Sequence, residues 1–481
     1  MFKFNFNYLY SLVDFPSFMK QIKYYFSLIF ILGWINALGQ HSPVSAGLSA
    51  GLQNQLDQQL ADRSLKGAAV SIIYPDNSIW HGSSGVSHGM VPIDNSMVFG
   101  IGSITKTLVA ATVLLLQEDG LLSVTDSLHQ WLPAYPNISP NITITQLLQH
   151  RSGLYNYTTN TVWGNAVNSD FSASWTADSV LMHYINAPLA APGATFGYSN
   201  TNYLLLGRII EEATDSTWLQ VLRHRILVPH QLNSIYAEGL ETRTGTFAHN
   251  WQVLSATNMV DLETALPSQK AIFTSADAAG MLASNSYDLA RFAELLFEGE
   301  ILEQASLNQL IQFAPIPGSL YTGYGYGIMR INYQGKQIYG HGGNIPGFSA
   351  MLLHSPVSGI SVSVLINQDD DAVHLGLAML NAAQNLLISA TENIPASDFN
   401  LICYPNPNRG NGTVKFTLPQ PGSAQLTIED ALGREVKMLT SGNFSAGQNS
   451  VPVSLNNLQA GLYFCKLKTE TGVAIYRLII E

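Results

Sequence analysis

A run of apolar residues over 107–118 constrains the fold of this chain more than any other feature. Leu108, Val109, Ala110, Ala111, Val113, Leu114, Leu115 and Leu116 leave almost no polar face. A helix of that kind must be packed on every side, and Gly120 is placed to end it. Just upstream, Ser103-Ile104-Thr105-Lys106 sets a hydroxyl and an amine three residues apart. Helix neighbours at that spacing have Cβ atoms about 5–6 Å apart. Phe99-Gly100-Ile101-Gly102 supplies glycines for a sharp turn and a close backbone approach. A serine in the first turn of a buried helix sits among unpaired N–H groups, and the positive end of the dipole disfavours a protonated lysine. That environment suits a serine nucleophile and points to an enzyme.

At 481 residues the chain is long enough for two or three structural units. It is 46% hydrophobic and 11% charged, which fits a folded, exported protein rather than a disordered one. The net charge of −11, with no basic cluster, argues against nucleic-acid binding. Both cysteines, Cys403 and Cys465, lie near the C-terminus, so the larger part of the chain has neither a thiol nucleophile nor a thiolate metal site. The histidines form no His-Glu-x-x-His pair, and neither a metal nor a cofactor is expected. Lys20 and Lys23 precede an apolar run over 24–38 that ends at Ala37-Leu38-Gly39. This run is too short for a membrane span and fits a signal peptide, giving a leader at 1–39 with translation starting at Met19 and no stable span in the mature protein.

Residues 46–395 mix helical and strand patterns. A helix is expected over 48–61, then a strand pair over 68–74 and 79–85 around Pro75-Asp76-Asn77. The middle reads as helices over 144–150, 202–214, 218–227 and 287–297. Strands return over 325–331, 336–339, 348–354 and 360–367, and a helix over 372–388 closes the unit. This order implies an α+β fold: one antiparallel sheet built from both ends of the segment, flanked by helices, with an inserted helical lobe. Residues 395–399 read as a linker. Over 400–481 short alternating strands separated by turns predict a small β-sandwich.

Spacing alone does not choose the catalytic partners. Ser17 and Lys20 also match Ser-x-x-Lys, and Tyr-x-Asn occurs at Tyr135, Tyr184, Tyr198 and Tyr404. Tyr198-Ser199-Asn200 is preferred because it follows a Pro192-Gly193 turn and leads into a helix. His341-Gly342-Gly343 lies between two predicted strands, where glycines open a sheet edge to a ligand.

With these motifs in order, the chain resembles the serine β-lactamase and penicillin-binding-protein family, in the branch of class C β-lactamases, D-alanyl-D-alanine carboxypeptidases, D-aminopeptidases and esterases. The resemblance spans roughly residues 48–390 and includes Leu147-Leu148-Gln149-His150-Arg151-Ser152-Gly153-Leu154. It implies acylation of Ser103, with Lys106 and Tyr198 sharing its proton; which of the two carries it is left open. It also implies that Asn200 binds the substrate amide and that the backbone N–H groups of Ser103 and Asn344, beside Gly343, form the oxyanion hole. One departure stands out: where β-lactamases carry Lys-Thr-Gly, this chain has His341-Gly342-Gly343. The family lysine helps hold a carboxylate; if His341 does so as a cation, turnover should fall as pH rises through neutrality. The departure favours peptidase or esterase activity on D-amino-acid peptides or small esters over β-lactam hydrolysis. A silent relative that binds peptidoglycan fragments or β-lactams is the competing reading.

Other motifs weigh less. Gly47-Leu48-Ser49-Ala50-Gly51 matches a nucleophile elbow but lacks a preceding strand. Asp369-Asp370-Asp371 reads as a solvated loop, His150 and Arg151 as structural. The aromatics over 321–326 suit either cleft lining or packing. Tyr404-Pro405-Asn406-Pro407 with Gly461-Leu462-Tyr463 resembles the C-terminal sorting domain of type IX secretion. That implies export from a Gram-negative bacterium to its surface or surroundings, with the secretion machinery as partner through residues 400–481. Cys403 and Cys465 are close enough in chemistry to pair there, though spacing does not establish a bridge.

Overall fold

A computed structural model describes residues 41–255, 258–392, 399–430, 435–469 and 473–480. The expected leader at 1–39 lies outside these, as does most of the expected linker. Among the described residues no helix is long and apolar enough to cross a membrane.

Ten strands form the main sheet, and the seven longer ones are β1 (Gly67–Ile73), β2 (Ser78–His88), β3 (Tyr321–Tyr324), β4 (Met329–Tyr333), β5 (Lys336–Ile345), β6 (Phe348–His354) and β7 (Ser361–Ile366). Their spatial order is β2-β1-β7-β6-β5-β4-β3, antiparallel throughout. The sheet thus joins both ends of the central segment, as the α+β reading required. Helices α1 (Ala46–Arg63), α2 (Thr105–Glu118), α3 (Thr201–Thr214), α4 (Ser286–Phe297) and α5 (Ala372–Glu392) are the longest among the described residues.

Period-two alternation divides the strands between two cores. Met351 and Leu353 of β6 join α1 and α5 on one face, while Ala350 and Leu352 join the core around α2 on the other. Helix α1 meets that first core through Leu48, Leu52, Leu56 and Leu60, one side chain per turn. The elbow-like Gly47–Gly51 stretch is simply its first turns, which disposes of the α/β-hydrolase alternative. Helix α2 is buried from Thr105 through Leu116, and Gly120 stops it at φ 72°.

Two strand expectations need correction. Residues 325–331 are not one strand: the chain turns between β3 and β4, with the Gly325 N–H donating to Ile328 O and Gly327 at φ 67°. A Cβ on Gly327 would stand 2.6 Å from Lys106 O, so the turn is dictated by contact with α2. His341-Gly342-Gly343 lies inside β5 rather than between strands, because β5 runs on to Ile345 paired with β6.

From Ile402 onward, sheets of three and four antiparallel strands enclose a separate core containing Val414, Phe416, Leu426 and Leu467. Cys403 and Cys465 are both buried in it as free thiols and are not bridged.

Candidate active site

Ser103 lies in a short 3-10 turn, Gly102–Ile104, that runs straight into α2. Two glycines let β5 press against this turn. A Cβ on Gly343 would sit 1.9 Å from Ile101 O, and one on Gly102, at φ +48°, would sit 2.6 Å from Asn344 N. The contact brings the Asn344 backbone beside Ser103, and both residues border the same two cavities.

Behind Ser103 the polar groups are buried. Lys106 has no exposed surface, and its Nζ lies 2.8 Å from Ser103 Oγ and 2.6 Å from Ala279 O, to which it donates. Its Nζ is 5.2 Å from the centre of the Tyr198 ring and 5.5 Å from that of Tyr203. No carboxylate pairs with it among the described residues, and burial holds its pKa well below the ordinary lysine value. A neutral amine donates to Ala279 O and keeps a lone pair for the serine proton. Burial moves Tyr198 the other way, upward, opposed only in part by the Ser103 hydroxyl. Both groups are therefore pushed toward their neutral forms.

The ring beneath Tyr198 is His150, with centroids 4.1 Å apart. His150 Nδ1 accepts from the Ser199 backbone N–H at 3.2 Å and from the Asn202 amide at 3.0 Å. Its proton must then be on Nε2, which faces the Tyr324 hydroxyl at 3.2 Å. Tyr324 in turn donates to His341 Nε2 at 2.9 Å, and His341 Nδ1–H donates to its neighbour Gly342 O at 2.6 Å. The chain of donors closes with every histidine neutral. Burial is the main cause that pulls the His341 pKa down to about 3, and a proton on the nearby Lys106 would lower it further. The expectation of His341 as a carboxylate-binding cation is overturned: the ring is sealed in, 1% exposed, and its one free acceptor is taken by Tyr324.

In front of Ser103 the site opens into two cavities. One, of about 440 Å³, has no charged side chain in its lining and is walled by Tyr157, Trp163, Val167, Phe171, Leu262 and Ile272. Asn200 borders it; this residue starts α3 without using its side chain as a cap, and its Nδ2 donates to Thr158 Oγ1 at 3.2 Å. The other, of about 230 Å³, lies on the Tyr198 and His341 side and extends to Asp371 at the start of α5. Ser103, Lys106, Tyr198, His341, Gly343 and Asn344 thus converge on one opening, with Asn200 on its apolar side. Sequence reasoning left Tyr324 undecided among the aromatics over 321–326 and did not find its hydrogen bonds to His150 and His341, because no motif marks where its hydroxyl is aimed. It also set aside Asp371, because one-dimensional context cannot show a loop returning to the nucleophile.

A sheet of this order, backed by helices and carrying Ser-x-x-Lys at its edge, is the β-lactamase and transpeptidase fold. Comparison with known proteins agrees: a family model described as Beta-lactamase matches residues 52–385, and the chain belongs to that family. A second, described as Secretion system C-terminal sorting domain, matches residues 402–481, the type IX tail. Penicillin-binding protein 4* of Bacillus subtilis is 26% identical over 319 residues, 63% of this chain and 68% of that one. Among solved structures, a D-stereospecific amidohydrolase from Streptomyces sp. superposes with a TM-score of 0.59 at 28% identity, over 70% of this chain and 98% of its own. D-amino acid amidase from Ochrobactrum anthropi SV3 gives 0.63 at 25%, over 71% and 100%.

Proposed function

We propose that this chain is an exported serine hydrolase that forms an acyl-enzyme on Ser103 and cleaves an amide or ester of a D-amino-acid-like substrate with an apolar side chain. The observation that carries the reading is the buried Lys106 amine 2.8 Å from Ser103 Oγ. Neutral Lys106 takes the serine proton as Oγ bonds to the substrate carbonyl carbon. The oxyanion is held by the backbone N–H groups of Ser103 and Asn344. The carbon–nitrogen or carbon–oxygen bond then breaks as Tyr198 passes a proton to the leaving amine or alcohol, and the Lys106 ammonium returns a proton to Tyr198. Water attacks the acyl carbon as neutral Lys106 takes its proton, and that proton goes to Ser103 Oγ as the acyl–oxygen bond breaks.

The uncharged cavity supports the choice of an apolar side chain, and Asn200 stands where it can meet the substrate amide. The amidase relative has been seen complexed with L-phenylalanine amide, an aromatic amide of a size that suits such a cavity. A neutral His341 supplies no charge for a C-terminal carboxylate, so amidase, aminopeptidase or esterase activity is favoured over a D-alanyl-D-alanine carboxypeptidase. The tail assigns the enzyme to the cell surface or surroundings through the type IX machinery.

Intact-mass spectrometry of the full chain after incubation with a fluorophosphonate, and separately with a penicillin, tests the reading. One fluorophosphonate adduct is expected on the wild type and none on Ser103→Ala. An unmodified wild type, or an adduct that survives the substitution, would refute it. A penicillin adduct without product release would assign β-lactams to inhibitors rather than substrates.

A further inference from the structure

We infer that the smaller cavity receives a positively charged amine of the substrate, with Asp371 as its counter-charge, and that it rejects a carboxylate; the inference rests on Ser103 being the reacting centre. The cavity is lined by Ser103, Tyr198, His341 and Asn344 and also by Asp371. Asp371 is the only carboxylate among the lining residues, no lysine or arginine borders the cavity, and His341 is held neutral by burial with Tyr324 on its acceptor. The cavity therefore carries a net negative charge.

Two features would otherwise draw an anion here, and both are already engaged. The start of α5 presents unpaired N–H groups and the positive end of a helix dipole, but Asp371 Oδ1 accepts from the Val373 N–H at 3.2 Å and occupies that position itself. The neighbouring guanidinium of Arg63 is ion-paired with Asp370, and it also donates to the Asp371 backbone carbonyl at 3.1 Å. Among the described residues the Asp371 carboxylate has no cationic partner. A substrate carboxylate would meet a like charge with nothing to offset it, whereas an ammonium group finds an acceptor. The larger cavity is uncharged, so the two openings divide a substrate into an apolar part and a cationic part across Ser103.

The test is calorimetric binding to the full chain carrying Ser103→Ala, which leaves ligands intact and does not depend on turnover. The probes are D-phenylalaninamide, its N-acetyl form and its N-succinyl form: cationic, neutral and anionic at one position. The free amine should bind about fivefold more tightly than the acetyl form, as suits an exposed ion pair, with the succinyl form weaker again. Adding Asp371→Asn should bring the three within about twofold. Asparagine caps helices as well as aspartate, so the start of α5 is kept. Equal binding of amine and succinate, an unchanged preference in the Asp371→Asn variant, or no binding by any probe would overturn the inference. Failure of the fluorophosphonate experiment instead bears on Ser103 as nucleophile.

Discussion

The two sides of Ser103 are built on opposite principles. Behind it, Lys106, His150, Tyr324 and His341 are all at most 1% exposed and each has its partners inside the protein. In front, two cavities leave surfaces that only a ligand can cover. The buried side sets protonation states by excluding water; the open side discriminates by shape and charge. The difference predicts a separation of effects: substitutions behind Ser103 should act on kcat and stability, and those in front on KM and substrate preference. The seam between the two sides is the place to break that separation with the largest effect. Gly343→Ala puts a methyl group 1.9 Å from Ile101 O, so β5 must move away from the Ser103 turn. Displacing an oxyanion donor by about 1 Å costs on the order of a hundredfold. We expect kcat to fall by at least that much with a smaller change in KM; a kcat within about threefold of wild type would show that the close approach is dispensable.

The pH profile sharpens the comparison by up to a factor of ten per unit. The proposed mechanism requires the base form of Lys106, whose pKa is lowered by burial. Activity should therefore rise with pH through that lowered value, about tenfold per unit on the acid side, and then level off. His341 contributes no descending limb near neutrality, since its pKa of about 3 keeps it neutral throughout. A kcat/KM for an uncharged ester that falls as pH rises through about 6.5 would mean a histidinium is needed. Stability follows a separate sign. The folded pKa of His341 lies below its unfolded value of 6.5, so between about 3 and 6.5 the unfolded chain binds a proton that the native chain does not. His354, also held to about 3 by burial, acts in the same direction. Resistance to urea should decline as pH drops from 6.5 toward 3.

How much of this was legible in the sequence follows from the range of each interaction. Helix α2 and the Ser103–Lys106 pair are local: apolar residues on all faces and a spacing of three leave few alternatives. Strand β6 was placed from its pattern alone, because both of its faces are buried and its ends are marked by turns. Beyond that, residues were placed by contacts that no window contains. The break between β3 and β4 arises because Gly327 must clear Lys106 O, with Thr107 Oγ1 donating to Gly327 O at 2.6 Å. His341 read as titratable because an isolated imidazole is; it is neutral because burial keeps it from water, with Tyr324, seventeen residues away, on its acceptor. Asp371 read as solvated, and it is exposed; what no window contains is that it borders the cavity beside Ser103 and that Arg63, 307 residues from Asp370, pairs with Asp370 instead.

The Tyr324 hydroxyl offers the finest test of the division, since removing one oxygen touches neither Ser103 nor any substrate. Tyr324→Phe leaves the ring, and with it the packing against His150 and His341 at centroid distances of 4.8 and 5.7 Å. It removes the acceptor for His150 Nε2–H and the donor to His341 Nε2, two buried groups that cannot turn to water. Each unsatisfied group costs roughly 1–3 kcal/mol, so urea unfolding should show a loss of at least that size. His341 keeps its proton on Nδ1, bonded to Gly342 O, but its Nε2 loses a donor and the strand beside the oxyanion hole loses a tether. The expected signature is a fall in kcat of about tenfold or less, KM nearly unchanged, and a shifted His341 Nε2 resonance in nitrogen NMR spectra. A variant that weakens KM for the amine while keeping wild-type stability would place Tyr324 with the cavities, and the buried side would no longer be a unit.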